Sequence, residues 1–161
     1  MSSYITIDGW RSNIRFSCAH IIYEYEKCGR IHGHTYAVHA KITGKTDDKG
    51  IIIDFSILKQ TLREIANKLD HHLLIPEKSS VSKIKKHEES IEILALNKRF
   101  LFPKEDCVFL PIKSTSAENL SKYILNELLD RMDLPKKVSH IEIGVDEGYG
   151  QGAKISKKFN K

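Results

Sequence analysis

Polar and apolar residues alternate along Ile14-Arg-Phe-Ser-Cys-Ala-His20, so Ile14, Phe16, Cys18 and His20 share one face of a predicted strand. Residues 4–8 alternate more weakly. A longer alternation runs from His32 to Thr43. It sets His32, His34, Tyr36, Val38, Ala40 and Ile42 on one face, and Thr35, Ala37, His39, Lys41 and Thr43 on the other. Gly44 to Gly50 reads as a turn, and Ile51-Ile-Ile53 as a short buried strand. The period then changes: Phe55, Leu58, Leu62, Ile65 and Leu69 fall three or four apart, one helix stripe ending near Asp70. Residues 76–90 are mostly polar and predict a loop. Residues 91–96, 99–102 and 107–112 predict short strands in an inserted hairpin. Thr115-Ser-Ala-Glu118 has the form of a capping box and opens a second helix through Leu120, Ile124, Leu128 and Met132, ending before Pro135. Val138–Val145 and Ala153–Phe159 predict two last strands around a turn holding Gly148, Gly150 and Gly152.

The order is two strands, helix, small insertion, helix, two strands. It predicts an α+β fold: an antiparallel four-stranded sheet with two helices on one face, plus a small inserted β hairpin. A four-stranded sheet has two open edges, which favours assembly through them. The 161 residues, 40% hydrophobic, suit one domain over 1–161 with one core. No apolar run is long enough to span a membrane. The first residues have neither a basic start nor an apolar block, so no secretory signal is expected. Three widely spaced cysteines argue for a reducing compartment, and the expected location is cytoplasmic. The net charge of +5 suits a phosphorylated small substrate. Much of the excess, Lys83, Lys85, Lys86, Lys154, Lys157, Lys158 and Lys161, reads as solvated faces. No aromatic-interleaved basic patch is present, so no nucleic-acid partner is expected.

The chemistry gathers in Cys28-Gly-Arg-Ile-His32-Gly-His34-Thr-Tyr36. If a strand begins near His32, both imidazoles leave the same face. His20 ends the neighbouring strand. Three imidazoles on adjacent strands are the ligand set of a catalytic zinc site with its fourth position open. Cys28, four residues ahead of His32, can act on what the metal holds or can itself be a fourth ligand that closes a structural site. Asp70 beside His71 can orient an imidazole for proton transfer, or His71 can complement the dipole at a helix C-terminus. Glu118 has a capping job. Asp54 is expected to cap the first helix or to accept a bond from a ligand. Glu147, at a strand end before glycine, can begin a turn or take two parallel hydrogen bonds from an amidine-like edge such as that of a pterin or guanine.

Phe16-Ser-Cys-Ala-His20, Cys28-x3-His32-Gly-His34-Thr-Tyr36, Gly50-x3-Asp54-Phe55-x2-Leu58-Lys59, Leu69-Asp70-His71, Ser116-Ala-Glu118-Asn119 and Val145-x-Glu147 together resemble the 6-pyruvoyltetrahydropterin synthase / 6-carboxytetrahydropterin synthase family, in its archaeal-type form. The resemblance implies the tunnelling fold, trimers that close their sheets into a barrel, and a homohexamer of two trimers. It assigns His20, His32 and His34 to Zn2+, Cys28, Asp70 and His71 to catalysis, and Glu147, with Ser116 more loosely, to the pterin. It implies 7,8-dihydroneopterin triphosphate as substrate. The product is 6-carboxytetrahydropterin, toward queuosine- or archaeosine-type bases, or 6-pyruvoyltetrahydropterin; a non-catalytic zinc or pterin module is the other reading. The chain departs from the family in the longer 76–112 segment and in Gly148, where threonine is usual.

Overall fold

A computed structural model of the protein describes residues 2–159; Lys161 of the basic tail lies outside them. In chain order the described elements are β1 (Ser3–Ile7), β2 (Arg15–His20), β3 (His32–Gly44), α1 (Phe55–Asn67), β4 (His72–Pro76), β5 (Lys83–Lys86), β6 (Ser90–Ala95), β7 (Lys98–Pro103), β8 (Cys107–Leu110), α2 (Ala117–Arg131), β9 (Val138–Glu147) and β10 (Gly152–Lys158). The main sheet runs β10-β9-β3-β2-β4-β8, and β1 also pairs with β3. β3 is long enough to hold β2 against its first half and β1 against its second. The pairings among β10, β9, β3, β2 and β1 are antiparallel, as the alternation predicts.

The expected four-stranded sheet is extended by β4, which pairs in parallel with β2, and by β8, which pairs in parallel with β4. No alternation marks β4, because Leu73, Leu74 and Ile75 are buried on both faces of the sheet. The segment 107–112, predicted as part of the insertion, supplies β8 to this main sheet instead. The insertion is a three-stranded sheet, β5-β6-β7, and β5 lies inside what polarity predicts as loop, since exposed lysines alternate with Ile84 on an edge strand. Ile51–Ile53 is not a strand. Asp47 Oδ1 accepts the Lys49 and Ile51 N–H groups at 3.0 and 2.9 Å, which folds the segment into a turn. Ile52 and Ile53 are still buried there.

Both helices pack on one face of the sheet. α1 buries Leu58, Leu62, Ile65 and Ala66, and its N-cap is Asp54, whose Oδ1 accepts Ser56 N–H at 2.6 Å. Phe55, the first residue of the predicted stripe, is exposed. α2 buries Leu120, Ile124, Leu125 and Leu128. Its cap is Ser116, accepting from Asn119 N–H, one residue later than the predicted box. Thr115 is drawn inward and fully buried against His20, so the next hydroxyl caps the helix and Glu118 stays exposed. The main core joins these helix residues to Phe16, Tyr36, Val38, Ile42, Ile141, Ile143 and Val145. A second core joins Ile21, Tyr23, Leu73 and Ile75 to Ile91, Ile93 and Ala95 of the inserted sheet.

Candidate metal centre and pterin site

Cross-strand register assembles the centre. The antiparallel pairing of β2 and β3 sets His20 opposite His32, and that of β3 and β9 sets Tyr36 opposite Glu147. Because His32, His34 and Tyr36 share a face, three imidazoles and one carboxylate meet at the end of the sheet. One donor atom from each of His20, His32, His34 and Glu147 falls within 4.8 Å of all the others. His20 Nε2 is 3.1 Å from His32 Nε2, and Glu147 Oε1 is 2.8 Å from His34 Nε2 and 3.4 Å from His20 Nε2.

These separations fit a tetrahedral metal ion such as zinc. Donors at about 2.0–2.1 Å from one ion lie about 3.3–3.4 Å from each other. The far side of the rings fits too. His20 Nδ1 lies 3.1 Å from the Thr115 carbonyl and 3.1 Å from its Oγ1, and His32 Nδ1 lies 2.7 Å from the Arg30 carbonyl. An imidazole that donates from Nδ1 presents a bare Nε2 lone pair to a cation. Burial lowers the His34 pKa, and the neighbouring His20 and His32 lower it further against the opposing pull of Glu147. Neutral imidazole, the ligating form, is thereby favoured. The Glu147 carboxyl is held below its usual range, first by its hydrogen bond with His20, against burial, and then by His34 and Tyr36.

Tyr36 and Thr115 are parts of the centre that residue typing passes over. Tyr36 is fully buried, and its hydroxyl donates to Glu147 Oε1 at 3.4 Å. The alternation that carries His32 and His34 carries Tyr36 with them, which is the signal for it. Thr115 next to the capping serine has no such signal.

Of the other expected site residues, His71 shares a cleft with His34, while Cys28 and Ser116 are near in chain to Arg30 and Thr115, which hold His32 and His20. Ser116 spends its hydroxyl on the α2 N-terminus. Cys28 sits half-buried in the loop between β2 and β3 and is not among the four clustered donors, so the fourth donor beside the histidines is Glu147. Asp70 Oδ1 accepts Ser17 N–H at 2.7 Å, and its Oδ2 lies 2.7 Å from His71 Nδ1. Burial would raise the Asp70 carboxyl, but the Ser17 N–H and His71 hold it below its usual range. His71 is 85% exposed and adopts φ +58, bound to Asp70 and to the Ser17 carbonyl. His71 and His34 line the same open cleft of about 700 Å³, together with Ser17, Ile31 and Phe102. A hollow of about 760 Å³ at the far end of the sheet, between Leu129 and Phe159, is lined by no histidine or cysteine.

An α+β sheet with a histidine–carboxylate cluster at its end, spaced to hold a metal ion, defines the class. The profile of the 6-pyruvoyl tetrahydropterin synthase family matches residues 10–158, and the chain belongs to that family. It is 36% identical over 152 residues to a Methanocaldococcus jannaschii protein named as a candidate 6-carboxy-5,6,7,8-tetrahydropterin synthase, covering 92% of this chain and 93% of that one. A Rickettsia conorii 6-carboxy-5,6,7,8-tetrahydropterin synthase is 27% identical over 122 residues, 74% of this chain and 78% of the other. Among solved structures, Plasmodium falciparum 6-pyruvoyl tetrahydropterin synthase superposes with a TM-score of 0.90 at 37% identity, covering 98% and 99% of the two chains. The Plasmodium vivax 6-pyruvoyltetrahydropterin synthase, solved with a catalytic glutamate changed to alanine, gives 0.90 at 34% identity over 99% of each chain. The fold is the tunnelling fold of this family. Among the described residues no helix is long and apolar enough to cross a membrane.

Proposed function

We propose that the chain is a cytoplasmic, zinc-dependent lyase. It converts 7,8-dihydroneopterin triphosphate and one water to 6-carboxy-5,6,7,8-tetrahydropterin, acetaldehyde and triphosphate, a step toward queuosine- or archaeosine-type bases. The convergence of His20, His32, His34 and Glu147 at the end of the sheet carries the reading. His20, His32 and His34 hold the metal. When bound, zinc supplies Lewis-acid polarisation of the substrate's side-chain oxygens. Cys28, as thiolate, removes a carbon-bound proton. His71 shuttles the second proton at its exposed Nε2, since its Nδ1 is engaged by Asp70 at 2.7 Å. Glu147 accepts neighbouring N–H groups of the pterin ring, held from behind by the Tyr36 hydroxyl. Six chains assemble as two stacked trimers.

The names of the Plasmodium structures favour a second reading, in which the reaction stops after triphosphate elimination at 6-pyruvoyltetrahydropterin. Mixing zinc-loaded protein with dihydroneopterin triphosphate and weighing the products by mass spectrometry separates the two. The carboxy product with acetaldehyde is expected. The pyruvoyl product supports the second reading, and unchanged substrate leaves only a binding module.

A further inference from the structure

The turn joining β6 to β7 breaks a local rule. Ala95 pairs with Lys98, so Leu96 and Asn97 form a two-residue hairpin loop, and both have φ +55. Such turns call for Asn, Asp or Gly at both places. Asn97 suits its place, whereas a leucine in the left-handed region is strained. A strained residue that is kept points to a job for its side chain.

That side chain meets a second exception. Gly29, next to Cys28, is buried, and a Cβ on it would lie 2.6 Å from Leu96 Cδ1 and 2.4 Å from the Tyr25 carbonyl. The Tyr25 carbonyl is what keeps Gly29 bare, and the Leu96 side chain closes over the space so left. The loop is otherwise held by its own bonds: Gly29 N–H to the Tyr25 carbonyl at 2.7 Å, and Ile22 N–H to the Cys28 carbonyl at 2.9 Å. Its entry is tied to the same sheet, because Ile21 and Tyr23 share a core with Ile91, Ile93 and Ala95. Its exit supplies the Arg30 carbonyl that fixes His32 Nδ1 at 2.7 Å.

We infer that Leu96 is a positioning residue: the inserted sheet braces the loop that carries Cys28 and orients His32, through the Leu96–Gly29 contact. The inference rests on the reading of Cys28 as the catalytic thiol for its consequence in turnover, though not for the brace itself. The insertion, which no part of the proposed chemistry uses, then acts as a buttress for the site.

The decisive variant is Leu96→Asn, which gives the turn a residue it favours and removes the brace. The melting temperature should hold or rise. Amide hydrogen exchange over residues 22–30 should speed up on the order of tenfold, as expected when local opening becomes easier. Alkylation of Cys28 by iodoacetamide, mapped by mass spectrometry, should change by a similar factor. Leu96→Met, which keeps an apolar side chain of similar length, should restore both rates. Leu101→Ala, on the exposed side of β7, should leave them as in wild type. Unchanged exchange and unchanged Cys28 alkylation in Leu96→Asn overturn the brace. Full turnover in Cys28→Ala, alongside a loosened loop in Leu96→Asn, removes the catalytic reading of Cys28 and leaves the brace standing.

Discussion

At the scale of single residues, the centre depends on which nitrogen each imidazole turns inward. His20 and His32 spend Nδ1 on carbonyl groups and face each other through Nε2. Replacing any of His20, His32 or His34 with alanine should therefore strip the metal while the far-ultraviolet circular dichroism stays that of the folded chain. Zinc analysis after dialysis reads it directly, and stoichiometric zinc in His34→Ala would show the ligand set to be wrong. Glu147 faces His20 and His34 and, in the proposed function, the pterin. Glu147→Gln should weaken binding of a pterin analogue by about 1.5–3 kcal/mol, the range for a hydrogen bond to a charged group. Tyr36→Phe should cost less, about 1 kcal/mol, because its bond to Glu147 is long. Equal affinity in wild type and Glu147→Gln would reduce Glu147 to a turn-former.

At the scale of elements, those whose apolar residues recur on one face were legible, whereas β4, buried on both faces, and β5, a short lysine-rich edge, were not. β2 and β3 expose alternate residues, so their period of two stood out, and with it the three histidines on one face. α1 showed its stripe for the same reason. β4 is covered on both faces and carries no period, and β8 pairs with it only through a parallel contact that no local pattern encodes. The one-residue shift of the α2 cap came from Thr115 turning to His20, a tertiary demand on a locally ambiguous Thr-Ser pair. The 51–53 turn was hidden because Asp47 reaches forward over four residues to Ile51 and is also held by Lys137, 90 residues further along the chain.

That Asp47 tie has a pH signature. Its hydrogen bond with Lys137, then the Ile51 N–H, pull its pKa down to about 2. A carboxyl depressed in the folded state stabilises above its ordinary pKa, and that stability drains away as pH falls toward the folded value. Melting temperatures of wild type should exceed those of Asp47→Asn at pH 5 and above, with the gap closing as pH approaches 2. A gap that persists unchanged at low pH would contradict the tie. In α1, Leu62 is fully buried beneath the sheet. Leu62→Ala should cost about 2–5 kcal/mol in denaturant unfolding, the range for a cavity in a packed core.

At the scale of the whole molecule, β1 pairs with β3 alone and β10 with β9 alone, so the sheet offers strand edges at both ends. The His71 ring, at 85% exposure, is open to a neighbouring chain although Asp70 holds it in the cleft that His34 lines. Assembly through those edges should cover that cleft. Sedimentation at micromolar concentration should give the mass of six chains, and a monomer would contradict this arrangement. The fold brings a histidine–carboxylate cluster, set by strand register, to the cleft that His71 also lines. The proposed chemistry turns on a metal held there. The most direct measurement is turnover of dihydroneopterin triphosphate by one preparation as purified, after chelator stripping, and after zinc is returned. A tetrahydropterin product should form in the first sample, vanish in the second and return in the third; undiminished turnover by the stripped protein, or none by the zinc-loaded protein, would contradict a zinc-dependent pterin lyase.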